Sequence, residues 1–542
     1  MKTALIFRNA FIFPATLAAG LILGGAARAD YALTILHTND FHSRIEPINK
    51  YDSTCGAEDD KAGKCFGGSA RFMAKITERR DAIRAAGGNV LLLDGGDQFQ
   101  GSLFFTHYKG KAAAELMNRI GYDAMVVGNH EFDDGPEVLS AFIEAIDFPI
   151  LLANADVSRE ASLKDKLRSA LVMEVGGEKI GLIGITAEDT GELSSPGDDV
   201  RFLDAVATLK GATQAFQAAG ITRIIVLSHS GYKHDKEIAA LVPGIDVIVG
   251  GHSHTYLSNS DDKAEGPYPT FVDNAEGGRT AIVQAAAYGK FLGEVNVVWN
   301  DAGDLVSAAG APILMDASVI GDAETGKRVA ELAAPLDEIR NEVIGRTTAA
   351  VEGSREVCRK QECEMGDLVA DAMLARVKDQ GIDIAIQNGG GLRASIDAGD
   401  VTMGEVLTVL PFQNTLATFR LKGSDVLAAL ENGFSQVEDG AGRFPQVAGM
   451  KVVWDAGKPA GKRVVSVEIM TDGGYAPIEP DRLYGVVSNN YMRGGGDGYA
   501  IFATAGQDAY DFGPNLEDAV ADYISKADGY EPRTDGRIRQ AN

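Results

Sequence analysis

The residues best able to do chemistry in this 542-residue chain fall at the ends of five apolar, strand-like runs. These are LTILHTNDFH with Asp40 and His42, NVLLLDGGD with Asp97, AMVVGNH with Asn129 and His130, RIIVLSHSG with His229, and DVIVGGHSH with His252 and His254. Open α/β sheets place their sites at such carboxyl ends. A set of carboxylate, imidazole and amide without thiolate suits two divalent ions of the zinc, manganese or iron kind. Calcium prefers all-oxygen shells, and copper takes softer donors. Asp40 and His42, like His252 and His254, are two apart and can share one side of an extended segment. Asp97, alone at its strand end, is the natural carboxylate to be shared by two ions about 3.5–4 Å apart. Five of the eight histidines sit at these ends. Any one alone reads as a satisfied surface or core histidine; five in one pattern do not. His37, His107 and His234 lie outside it and receive no chemistry. The string GNHEFD alone leaves two readings open, a Gly-Asn turn or a metal site. Asp133 could equally be a helix N-cap before DGPEVLSAF, where Asp134 would serve as well.

A second set lies beyond residue 347. CRKQECEMGD places Arg359 inside a short Cys358–Cys363 loop, with Arg355 four residues earlier. IDIAIQNGGGLRASI reads as a strand carrying Asn388, three glycines that let backbone approach a ligand, and Arg393, able to fork onto phosphate. It is not a Walker loop, because it lacks the Gly-Lys-Ser/Thr ending, and an ordinary turn explains the glycines equally well. VLPFQN offers Phe412 and Asn414, and NNYMRGGGDGY offers Tyr491 and Asp497. Two aromatics can sandwich a flat base, amides can bond its edge, and a carboxylate can accept from ribose hydroxyls. Core packing is the alternative for either aromatic alone.

The elements that must position these residues are α/β in pattern. From 30 to about 300, β-branched runs alternate with amphipathic helices such as SARFMAKITERRDAIRAAGG, with Ser69 as expected N-cap and Phe72, Met73, Ile76 and Ile83 on one face. Residues 294–314 read as a β-hairpin. The charged run 325–345 reads as one helix bridging to a second region, where helix 366–379, strand 382–387, helix 424–432 and strand 483–488 alternate. The expected organisation is a catalytic domain over 30–324, a linker helix over 325–346 and a substrate-binding domain over 347–542.

Residues 1–29 combine Lys2 and Arg8, an apolar stretch and a small-x-small ending at Ala27-Arg28-Ala29, the pattern of a secretory signal peptide. A retained anchor is the competing reading, weakened by Pro14 and the glycines in the stretch. No later run has eighteen consecutive apolar residues, so no stable membrane anchor is expected. Without Lys2, Arg8 and Arg28 the formal charge moves from −26 to −29. Such acidity disfavours nucleic acid and anionic membranes and requires a locally positive pocket for an anionic substrate. Four cysteines, each near one other, pair most economically as Cys55–Cys65 and Cys358–Cys363 in an oxidising compartment, with a zinc cluster as the alternative. The sequence carries no signal for an oligomeric state.

The motifs NDFH, GGD, GNHEFD, SH and GHSH, in this order, resemble those of the calcineurin-like metallophosphoesterases and, within them, the 5′-nucleotidase family. The resemblance covers nearly the whole chain after residue 29. It implies an N-terminal β-sandwich flanked by helices (αββα), joined by a helix to an α/β nucleotide-binding C-terminal domain. It assigns Asp40, His42, Asp97 and His254 to one metal, and Asp97, Asn129, His229 and His252 to the other. Some bacterial members carry glutamine in place of His254. In the family the His130–Asp133 pair stabilises the transition state and protonates the leaving oxygen. Phosphate contacts are implied for Arg355, Arg359 and Arg393, base contacts for Asn388 and Asn414, stacking for Phe412 and Tyr491, and a ribose contact for Asp497. Tyr491 stands where phenylalanine is common, a change that keeps the ring. The implied activity is that of a secreted, periplasmic 5′-nucleotidase. Metal-activated water attacks phosphorus in line, and domain rotation carries a small-molecule nucleotide to two divalent ions. The same fold also serves hydrolysis of UDP-sugars, of nucleoside di- and triphosphates and of 2′,3′-cyclic nucleotides, and more distantly thiosulfohydrolase chemistry. A non-catalytic nucleotide-binding protein is the alternative of a different class.

Overall fold

The computed structural model describes residues 30–49, 54–410, 412–471 and 473–541. The expected signal peptide lies outside them. In the first region the apolar runs form two six-stranded sheets. One has the strand order Leu305–Leu314, Phe291–Trp299, Tyr31–Thr38, Asn89–Asp94, Ala124–Val126, Ile150–Leu151. The other runs Thr270–Asp273, Arg279–Val283, Val247–Gly250, Arg223–His229, Glu178–Thr186, Ala170–Val175. The strands that lead into the candidate ligands pair in parallel within each sheet. Their near-continuous apolar runs follow from burial on both faces. Leu33, Ile35, Leu91 and Leu93 pack between the sheets against Leu182, Ile225, Leu227 and Val249. The outer face of the first sheet carries Leu36 and Leu92 against Phe72 and Ile76 of helix Ser69–Ala85. The outer face of the second is covered through Leu209 and Ile238 of helices Ala205–Ala218 and Tyr232–Leu241. This is the αββα sandwich.

Two local expectations change. Ser69 is the first helical residue, and the N-cap is Gly68, whose φ of 84° and contact with Pro47 leave no room for a side chain. The charged run 325–345 is not one helix. It folds as Ala323–Ala333 and Leu336–Arg340, parted around Pro335, which has no N–H to continue the first helix. From Val343 the chain is already a strand, Val343–Thr347, paired with Gly399–Thr402. Val329, Leu332 and Leu336 pack on Ile45, Phe104 and Leu116, so the first of these helices rests on the N-terminal region.

The C-terminal region is built on a five-stranded sheet ordered Pro445–Ala448, Ile384–Asn388, Leu483–Asn489, Leu416–Lys422, Gln507–Tyr510. Helices Glu364–Val377 and Leu516–Ser525 cover one face, and Gly423–Gly433 with Ala500–Ala505 cover the other. A four-stranded sheet, Gly474–Pro477, Val464–Thr471, Met450–Trp454 and Ile538–Gln540, extends the second core. Cys55–Cys65 and Cys358–Cys363 are disulfides. Among the described residues no helix is long and apolar enough to cross a membrane.

Candidate metal centre and facing pocket

All five strands that carry the candidate ligands end at one rim of the sandwich, three from the first sheet and two from the second. Asp40, His42, Asp97, His252 and His254 each take a left-handed backbone, with φ between 49° and 71°. Non-glycine residues seldom adopt that conformation, and where they cluster the surrounding structure must hold them there. The chain leaves each strand in a tight reversal that turns the side chain inward. Neighbouring glycines permit the approach: a Cβ on Gly128 would collide with the Asp97 carboxylate, and one on Gly251 with the backbone of Gly95 and the ring of His229.

The side chains meet in three groups, the third linking the other two. Donor atoms of Asp40, His42 and His254 lie within 4.8 Å of one another, and so do those of Asp97, His229 and His252; His42, Asp97 and His130 form a third such group. Asn129 joins the second through its Oδ1, 2.8 Å from His252 Nδ1. Second hydrogen bonds fix the rings: His42 Nδ1 lies 3.1 Å from the Phe99 carbonyl, and His229 Nδ1 2.6 Å from that of Gly95. Their Nε2 atoms are thereby aimed at the centre, as a metal-binding imidazole requires.

Three features fit this cluster to divalent cations. Asp97 Oδ2 and His229 Nε2, both buried, face each other at 2.9 Å and have no other hydrogen-bond partner. His42 Nε2 and His254 Nε2 point at each other across 3.0 Å. Burial would lower the pKa of both His229 and His130. The charge of Asp97, joined by Asp40 at His229 and Asp133 at His130, lifts them instead to about 10 and about 9. Burial keeps His42 and His252 below the usual imidazole range, His252 down to about 3, so their nitrogens are free to bind a cation, and a metal displaces the proton from an imidazole ligand that carries one.

His130 is held differently from the other histidines. Its Nδ1 lies 2.6 Å from Asp133 Oδ2, and Ser194 donates to Asp133 Oδ1 at 2.8 Å. Asp133 is therefore tied to His130 and does not N-cap the helix that follows; helix Pro136–Ala145 is preceded by Gly135. His37 is buried against the Tyr268 hydroxyl at 2.8 Å and kept neutral by burial, down to about 3, away from this chemistry.

A cavity of about 540 Å³ opens beside the centre, lined by Arg359, Asn388, Arg393, Phe412, Asn414, Tyr491 and Asp497. Widely separated stretches of sequence thus converge on one pocket. Arg393 lies over the ring of Phe412 at 5.3 Å. The amide nitrogen of Asn388 is directed at Asp497 Oδ2, 2.7 Å away, which ties it to the carboxylate expected to meet ribose. Arg355 begins the helix Arg355–Cys358; its side chain is not among those described.

Sequence reasoning missed several contributors. Glu131, inside GNHEFD, accepts from the backbone N–H groups of Asp97, Gln98, Phe99 and Gly128 at 2.6–3.1 Å. One buried carboxylate thus fixes both the Asp97 loop and the Asn129 turn. Its position between two candidate catalytic residues was the available signal. Tyr288 packs against His42 and His254 and, with Arg44 over its ring at 5.0 Å, also lines the nucleotide-sized cavity. From the C-terminal region, Tyr510 Oη lies 3.1 Å from Asn129 Nδ2, and the Phe512 ring is 4.0 Å from that of His254. These aromatics carry no motif, and for Tyr510 and Phe512 only the docking of the two regions reveals them.

Residues 33–256 match the family described as calcineurin-like phosphoesterase, and residues 343–504 match the 5′-nucleotidase C-terminal domain. The chain is 37% identical over 531 residues to a 5′-nucleotidase of Diplobatis ommata, covering 94% of this chain and 90% of that one. Among solved structures it is similar to a 5′-nucleotidase precursor from Thermus thermophilus, at 40% identity and TM-score 0.60, with 94% of this chain and 100% of that one covered. It is also similar to the NAD nucleotidase of Haemophilus influenzae, at 29% identity and TM-score 0.80, with coverage of 95% and 100%. Two domain matches in series, full-length relatives and a donor cluster at the rim of the first domain agree: the chain belongs to the 5′-nucleotidase family of metal-dependent phosphoester hydrolases.

Proposed function

We propose that the protein is a secreted, periplasmic 5′-nucleotidase that releases phosphate from nucleoside 5′-monophosphates. The observation that carries this reading is the juxtaposition at Tyr288 of the buried donor cluster with a cavity bearing arginines, aromatics and a carboxylate. In that reading Asp40, His42, Asp97 and His254 hold one divalent ion, and Asp97, Asn129, His229 and His252 hold the other. Such ions, zinc or manganese by donor type, supply Lewis acidity that lowers the pKa of water and polarises phosphoryl oxygens. The chain's own residues do the rest. Phe412 and Tyr491 clasp the base, Asn414 bonds its edge, Asp497 takes the ribose, and Arg355, Arg359 and Arg393 hold phosphate. As the bond from phosphorus to O5′ breaks, His130, charged and oriented by Asp133, gives its Nε2 proton to the leaving oxygen.

Domain rotation is part of the proposal. In the present arrangement Tyr510 and Phe512 lie against His130 and His254, which supports a turn of the C-terminal region as the step that brings phosphate to the centre. The pairing of 40% identity with a TM-score of 0.60, against 29% with 0.80, also supports relatives that differ in domain arrangement more than in domain fold. Secretion is supported by the apolar leader and by two disulfides. Mature protein beginning at Asp30 in an osmotic-shock fraction is the expected result.

A second reading, cleavage of the pyrophosphate bond of a dinucleotide, is favoured by the likeness to the NAD nucleotidase structure. Phosphate release from AMP, ADP, UDP-glucose and 2′,3′-cyclic AMP, with NAD cleavage followed in parallel, separates the two. The proposal requires AMP to be the best substrate by kcat/KM. It fails if AMP is inert and NAD or UDP-glucose is cleaved.

A further inference from the structure

We propose that the hydroxyl of Tyr491 is a positioning group that makes the pocket select ribonucleotides over 2′-deoxyribonucleotides. This rests on the reading above that Asp497 receives the sugar.

The segment Gly495-Gly496-Asp497-Gly498 is wound tightly beneath the Tyr491 ring, and a Cβ on Gly496 would collide with that ring. Asp497 itself takes a left-handed backbone, φ 51° and ψ 25°, which aspartate tolerates better than most residues. The phenol clasps it twice. Tyr491 Oη donates to Asp497 Oδ1 at 3.1 Å and accepts from the Asp497 N–H at 3.2 Å. From the other side Asn388 Nδ2 donates to Oδ2 at 2.7 Å. Asn388 is in turn braced by Asn489, whose Nδ2 donates to its Oδ1 at 2.9 Å. Gly390 and Gly442 lie so close to Asp497 Oδ2 that a methyl on either would crowd it.

The count of acceptor sites gives the consequence. An ionised carboxylate has four lone-pair directions, two on each oxygen. One on Oδ1 is used by Tyr491 and one on Oδ2 by Asn388, which leaves one on each oxygen. A vicinal diol presents two donors side by side and fills both. A 2′-deoxy sugar fills one and leaves a carboxylate oxygen short of a partner. Phenylalanine at 491 would keep the stacking face and release Oδ1 and the Asp497 N–H. The carboxylate could then rotate, and the advantage of two hydroxyls over one would shrink. The hydroxyl therefore acts through Asp497 and not on the base.

Steady-state kinetics of the full-length, metal-loaded enzyme on AMP and 2′-deoxy-AMP tests this, with Tyr491→Phe, Tyr491→Leu and Asp497→Asn. Tyr491→Phe should raise KM for AMP by about five- to tenfold, leave kcat within twofold, and change KM for 2′-deoxy-AMP less than twofold. Tyr491→Leu, which removes the stacking face as well, should weaken both substrates. Asp497→Asn should abolish the preference for AMP. If Tyr491→Phe keeps the wild-type ratio between the substrates, or weakens both alike, while Asp497→Asn loses that ratio, the role given to Tyr491 is wrong and the pocket reading survives. If the wild type does not discriminate, or Asp497→Asn discriminates as the wild type does, the placement of ribose at Asp497 fails, and this inference with it.

Discussion

Replacing Glu131 by glutamine probes how the centre is built, because that one carboxylate is the anchor for two loops that carry candidate ligands. Its Oε1 accepts from Gln98 and Phe99, and its Oε2 from Asp97 and Gly128. Burial and the charge of Asp97 push the acid up to about 7, while its N–H partners oppose that rise. Glutamine has the same shape but turns one oxygen into a donor, so two of the four backbone N–H groups would face N–H. Hydrogen bonds to a charged group contribute about 1.5–3 kcal/mol each, so at a pH above about 8, where the acid is ionised, Glu131→Gln should cost about 3–6 kcal/mol. The loops that relax carry Asp97 and Asn129, and a displacement of about 1 Å at such a site lowers rate about a hundredfold. Urea denaturation with bound-metal analysis and kcat on AMP reads all three effects. A Glu131→Gln protein within about 1 kcal/mol of wild type, binding two metals and turning over normally, would refute the anchoring role.

Other consequences follow from the same geometry. His130→Ala should lower kcat by about 10²–10⁴-fold with KM nearly unchanged, whereas Arg393→Ala should mainly raise KM. Cysteines replacing Thr54 and Gln413, whose side chains bond across the two regions at 3.2 Å, should stop turnover when oxidised and restore it on mild reduction. Full activity in the oxidised form would remove domain rotation from the account. Asp367 is buried, with Arg537 lowering its pKa while Glu362 and Asp535 raise it, and burial dominates, taking it up to about 9. Its folded pKa therefore lies above the unfolded value of about 4. The protonated form is favoured in the folded state, so its contribution is full below pH 4 and is lost as pH rises towards 9. Asp367→Asn should stabilise the protein by about 1–3 kcal/mol at pH 8 and have little effect at pH 4, measured by thermal unfolding.

Much of the site was legible because its candidate ligands sit at strand termini, where an apolar run ends abruptly in a residue with a lone pair. Asp40, His42, Asp97, Asn129, His229, His252 and His254 all follow that rule, and the structure brings their donor atoms together. The α/β character was legible because runs such as IIVL have no polar face to give to solvent, whereas the sandwich itself was an expectation from the family resemblance. Where periodicity was trusted past a breaker, the reading failed: the 325–345 pattern continued through Pro335, and the backbone did not. Ser69 has a capping side chain, yet the sharp entry past Pro47 needs the glycine before it. Glu131, Tyr288, Tyr510 and Phe512 act through residues distant in sequence, and no local pattern encodes a contact between Tyr510 and Asn129. Asn388 was legible as a pocket residue, but its bond to Asp497 depends on a strand and a loop 109 residues apart meeting.

The central claim is that one carboxylate serves two cations. A crystal of the protein grown with manganese, measured at the manganese absorption edge, tests it directly. The account requires two anomalous peaks about 3.5–4 Å apart, with Asp97 between them and Asn129 on the side of His252. A single peak, or two that do not share Asp97, would contradict it.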